Sequence, residues 1–121
     1  MAVTCPTLIP ERLPAGNWGG DHIGMVVTDT AASIEYDCAS GTIVGALHLD
    51  PSGSFDWQGL HYVGHGGPVP LNEAPDVHPA RYTGRATSTT LDMTVTLTDG
   101  YRPAMTYHLD RGRDPRVFKC L

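Results

Sequence analysis

Positive charge is scarce in this chain: eight Lys and Arg stand against 13 Asp and Glu, a formal net charge of -5 at pH 7. Phosphate recognition needs clustered Lys and Arg, so the balance argues against nucleic-acid binding. Arg111, Arg113, Arg116 and Lys119 do gather near the C-terminus, and such a short basic run reads as a solvated strand end. No apolar run approaches the ~18 residues of a membrane-spanning helix, so no membrane span is expected. Residues 1–15 lack the basic start and apolar centre of a signal peptide.

Runs of Ala, Leu, Glu and Lys that favour helices are also missing. Residues 6–15, PTLIPERLPA, hold three prolines and allow only a short turn or 3₁₀ piece. Motifs for chemistry are lacking in the same way. There is no Cys-x-x-Cys, no HExxH and no nucleophile elbow, so no cofactor is expected.

What the 121 residues do contain is turn chemistry, with 14 Gly and 10 Pro, between segments of alternating apolar and polar residues. The length suits one domain. From Trp18 onward eight such segments follow: DHIGMVVTD, SIEYDC, TIVGALHLD, FDWQGLHYV, ARYTGRAT, TLDMTVTLT, YRPAMTYHL and RVFKCL. Side chains alternate faces along a strand, so Leu91, Met93, Val95 and Leu97 share one face against Asp92, Thr94 and Thr96. Asp99-Gly100 predicts a tight hairpin, because both residues tolerate positive φ. Pro103 then belongs at a strand end or bulge.

The expected fold is all-β: a single antiparallel up-and-down β-barrel of about eight strands. Residues 1–17 form a leader or cap, and residues 18–121 form the barrel. The long connection 64–79, GHGGPVPLNEAPDVHP, carries three Gly and four Pro and reads as a loop over one mouth. Closure removes sheet edges and leaves room for packed side chains or one small ligand.

Gly16-Asn17-Trp18, at the entry to the barrel segments, resembles the Gly-x-Trp signature of the lipocalin-like, or calycin and avidin-like, barrels. That resemblance implies Trp18 as a floor plug, with Arg113 or Arg116 stacked on it. The stretches Trp18–His22, Asp37–Gly41, His65–Pro68 and Phe118–Leu121 also resemble a group of small bacterial proteins with no attached function.

The three cysteines, Cys5, Cys38 and Cys120, suggest an oxidising compartment and a secreted or periplasmic location. In a simple meander Cys38 and Cys120 flank the first strand, ~10 Å apart. That exceeds the ~7 Å reach of a disulfide, unless a tapered or bulged end draws the strands together. The expected bridge joins Cys120 to Cys5 or to Cys38.

Six histidines occur, at 22, 48, 61, 65, 78 and 108. His22 shares parity with Trp18 and faces the cavity if Gly19 and Gly20 keep the pleat. His22 and Cys38, joined by His65 or His61 from the loop side, form the sharpest candidate metal cluster, set against the plainer reading of an inward His as hydrogen-bonded core with no metal. His48, His78 and His108 read as exposed or loop residues. Asp21, Glu35, Asp37 and Asp56 are acid–base candidates on the polar parity. Tyr36, Phe55, Trp57, Tyr82 and Tyr107 lie on apolar parity, as core packing or as pocket walls.

The leading expectation is a barrel binding a small apolar molecule at Tyr36, Phe55, Trp57, His61, His65, Tyr82 and Tyr107. The alternatives are an enzyme using His22, His61 or His65 as catalytic base, with or without a metal, and a structural or interaction module with a filled core. The oligomeric state is not legible.

Overall fold

Alternation along each segment is converted directly into an inside and an outside. In Thr90–Leu97 the residues Leu91, Met93, Val95 and Leu97 are buried while Asp92 is exposed. Ala32, Ile34 and Tyr36 alternate in the same manner against Ser33 and Glu35. Threonine and aspartate close the turns with their side chains. The Thr28 hydroxyl accepts from Ala31 N (3.1 Å), and the Asp50 carboxylate accepts from Ser52 N and Ser54 N, both at 2.9 Å.

The computed structural model describes residues 9–64 and 76–118. It contains β1 (Gly16–Gly20), β2 (Ile23–Val27), β3 (Ala31–Tyr36), β4 (Ala39–Val44), β5 (Ser54–Val63), β6 (Val77–Ala86), β7 (Thr90–Leu97) and β8 (Met105–Arg111). Each strand pairs antiparallel with the next, and β1 pairs with β8 to close the barrel. The turns after β1, β3, β5 and β7 therefore lie at one end, the mouth. Those after β2, β4 and β6 lie at the other, the base.

The interior is packed. Trp18, Ile23, Tyr82, Leu91, Met93, Val95 and Leu109 are all below 2% exposed. At the base, Leu13 N donates to Leu47 O (2.9 Å) and Leu49 N to Glu11 O (2.8 Å), so residues before β1 cross this end and bury Leu13 and Leu47. Both indoles are satisfied there, as buried tryptophans require: Trp18 Nε1 donates to Pro14 O (3.0 Å) and Trp57 Nε1 to His48 O (2.9 Å).

After β8 the chain doubles back as a strap, residues 113–118, over the outside of β1 and β2. A Cβ at Gly19 would collide with Arg113 O, and one at Gly24 would stand 2.6 Å from Pro115 Cβ. Arg116 N donates to Gly20 O (3.0 Å) and His22 N to Arg116 O (2.8 Å). At its far end Cys38 N donates to Phe118 O (3.3 Å).

The number of strands agrees with the sequence reading, but the outermost two differ. GNWGG is itself β1, because Asp21-His22 makes a two-residue turn with His22 at φ +68°. The described part of RVFKCL, residues 116–118, is not a barrel strand: Arg116 makes an isolated parallel bridge to Asp21. The TIVGALHLD segment stops as a strand at Val44, where Gly45 takes φ +109°. Asp99-Gly100 does not form a tight hairpin either. It lies in a longer loop from Leu97 to Met105 that also holds Pro103. The expected loop 64–79 is shorter at its far end, since β6 already begins at Val77.

Candidate functional site

Above the packed core, the mouth holds a cleft of ≈ 560 Å³ lined by Tyr36, Asp37, Ala39, His61, Arg102, Met105 and Tyr107, with His22 at its rim. The strand register explains the assembly. His61 on β5 is the Cα partner of Gly41 on β4 and of His78 on β6, so its side chain points into the barrel one layer below the rim. Tyr36 ends β3 and Tyr107 lies near the start of β8, so both rings face the same opening. The Tyr36 and His61 rings are 5.2 Å apart between centroids, and those of Tyr36 and Tyr107 5.3 Å.

His61 is 1% exposed, and neither Nδ1 nor Nε2 has a hydrogen-bond partner. Burial lowers its pKa from the usual imidazole value, and the positive charges of Arg102 and His78 lower it further. The ring is therefore neutral near pH 7, with one N–H and one lone pair to offer. Burial likewise raises the pKa of Tyr36, as do the neighbouring Tyr82 and Tyr107. The Tyr82 hydroxyl gives its own proton to Leu60 O (3.1 Å), and Tyr36 Oη is left without a well-formed hydrogen bond.

At the rim, histidines are paired with carboxylates. His22 Nδ1 lies 2.5 Å from Asp37 Oδ2. Asp37 also accepts from Phe118 N (2.7 Å), and this bond is the largest cause that lowers its pKa. His78 Nδ1 is 2.6 Å from Asp99 Oδ2 and its Nε2 is 2.7 Å from Asp76 Oδ1, and these carboxylates raise its pKa. Its ring stacks on that of Tyr101 at 3.9 Å, and the Arg102 guanidinium lies 5.3 Å from the centroid of the same Tyr101 ring. Chemically, the cleft offers aromatic walls, uncharged hydrogen-bonding groups at depth and a hydrogen-bonded His22–Asp37 pair at the rim.

The candidate residues separate into three groups. Tyr36, His61 and Tyr107 meet at the cleft. Phe55 and Trp57 stack on each other at 3.9 Å near the base, away from it. Tyr82 is part of the core, its pKa pushed up to about 12 by burial. His65 lies outside the described residues, as do Cys5 and Cys120.

His22 does not point inward by strand parity. It sits in the turn, with 58% of its side chain exposed. Cys38, also in a turn with φ +54°, is disulfide-bonded. It therefore has no thiolate for the candidate cluster with His22 and His65, and among the described residues no group of three or more His, Cys, Asp and Glu could hold a metal ion. Trp18 fills the lower barrel, but Arg113 turns to Asp21 (3.0 Å) and Asp110 (3.6 Å), and Arg116 pairs through its backbone. Among the described residues the cation–π contact is that of Arg102 with Tyr101.

His48 and His108 are exposed as expected, and His108 bridges Asp92 (2.7 Å) and Asp110 (3.0 Å) on the outer face. His78 is not exposed: only 12% of its side chain meets solvent. Arg102 and Met105 escaped the sequence reading. Met105 shares parity with Tyr107 and was legible on that ground, whereas Arg102 reaches the cleft only because the β7–β8 loop is long. The chain matches no protein-family model, no curated protein and no solved structure.

Proposed function

We propose that this protein binds a small organic molecule in the mouth cleft. The observation that carries the reading is His61, a buried imidazole lining the cleft with both ring nitrogens unpartnered. Buried polar groups are nearly always paired, and leaving one unpaired costs about 1–3 kcal/mol. A ligand that supplies the partner recovers that cost. The walls of Tyr36, Tyr107 and Met105 support the same reading, since small-molecule sites join apolar surface to a few polar groups. The packed interior favours a ligand seated at the mouth over one running down the barrel axis. The likeness of Gly16-Asn17-Trp18 to the lipocalin-like barrels is in keeping with a binding role, and the disulfide at Cys38 supports a secreted or periplasmic location.

Titration with N-phenyl-1-naphthylamine, an uncharged probe that brightens in apolar surroundings, tests the proposal. Saturable binding of one probe per chain is expected, and Ala39→Trp, which fills the cleft, abolishes it while circular dichroism stays unchanged. Absence of saturation, or equal binding by a folded Ala39→Trp variant, refutes the site.

A further inference from the structure

We infer that the cleft selects an uncharged aromatic molecule carrying a hydrogen-bond donor and acceptor side by side, as a carboxamide does. The inference rests on the binding reading above and names the chemistry of its ligand. The deep end of the cleft presents His61, both ring nitrogens unpartnered, beside the Tyr36 hydroxyl, which has only the Tyr82 hydroxyl near it; the His61 and Tyr36 rings are 5.2 Å apart. A neutral imidazole has one donor and one acceptor nitrogen, and a phenol both donates and accepts. The complement of that pair is a group that can also do both.

The charges around the cleft argue against an ionic head group. Asp37 is already engaged by His22 and by Phe118 N, and His78 stands between Asp76 and Asp99. Arg102 lies over Tyr101, on the side from which its charge, with that of His78, already disfavours an imidazolium at His61. A cation at depth meets the same repulsion. An anion is attracted by Arg102 but repelled by Asp37, both of which line the same opening, and at depth it meets only the neutral His61 and Tyr36. Burying an ion without a counter-ion is the most costly polar arrangement. The flat walls of Tyr36 and Tyr107, with the Met105 thioether beside them, suit one aromatic ring.

The test is a matched set of one-ring probes, namely benzamide, benzoate, benzylamine and toluene, titrated into the full chain and followed by NMR. The imidazole ¹⁵N signals of His61 provide the site-specific readout. Benzamide is expected to bind about tenfold more tightly than toluene, the equivalent of one good hydrogen bond, and to shift both His61 nitrogen signals. His61→Phe erases the preference for benzamide and leaves toluene bound. Tyr36→Phe reduces it, and serves alone if His61→Phe does not fold. Equal binding of benzamide and toluene, a preference for benzoate or benzylamine, or unmoved His61 signals overturns this inference while the binding reading stands. If none of the four binds and the naphthylamine probe also fails, both fall.

Discussion

His61 is where burial and titration meet most directly. An unfolded histidine titrates near ~6.5, and the folded His61 lies lower because burial and the nearby cations oppose its charge. Between the two values the unfolded chain binds a proton that the folded chain refuses. The stability linked to His61 is therefore fully present above pH ~6.5 and is lost as pH falls towards the folded value. His78 and His108 have the opposite sign. Their carboxylate partners raise their pKa values, so the stability they add is full below pH ~6.5 and is lost as pH rises through the folded values. In thermal unfolding scans between pH 7.5 and 5, the wild type is expected to lose more stability on acidification than His61→Phe. Parallel curves for the two proteins would count against a neutral, buried His61.

Among the elements, the strap is the one whose role was hidden. RVFKCL has the apolar content of a strand, yet β1 already occupies the place beside β8. The described strap, residues 113–118, lies instead against the outer face, where Gly19 and Gly24 have no side chains to hold off Arg113 and Pro115. This rearrangement removes the distance objection to a Cys38–Cys120 bridge. Cys38 N donates to Phe118 O, and Cys120 follows Phe118 by two residues in the sequence. Non-reducing peptide mapping is expected to join the Cys38 and Cys120 peptides and to leave Cys5 as the free thiol. Reduction should then open the strap to trypsin after Arg113 and Arg116. A Cys5–Cys38 link would refute the pairing.

At the scale of the whole molecule, closure depends on a short seam. Only Trp18↔Arg111 and Gly19↔Asp110 join β1 to β8 in register, while β5 and β6 pair from Ser54↔Arg85 through to Tyr62↔Val77. The seam is held from inside by the Trp18 ring and from outside by the strap. Trp18→Ala is expected to cost about 3–5 kcal/mol, against a total of roughly 5–15 kcal/mol for a domain. Urea unfolding measures the difference, and a loss below about 1 kcal/mol would mean that the indole does not hold the barrel closed.

The sequence by itself determined the fold class, the eight-strand meander and most of the inward-facing residues. Alternation is local, and the Thr28 and Asp50 turns are set by their own side chains. Tyr36, His61 and Tyr107 were legible as inward residues on the same ground. What only the tertiary structure decided is which of them meet at an end of the barrel. Phe55 and Trp57 have the same parity as His61 on the same strand, yet the direction of β5 carries them towards the base and carries His61 to the mouth. Likewise His22 escaped its parity through a two-residue turn, and Arg102 entered the cleft through the length of a loop. Parity is a property of neighbouring residues, whereas the depth of a side chain in a closed barrel depends on register and strand ends, which are fixed by pairing between distant segments.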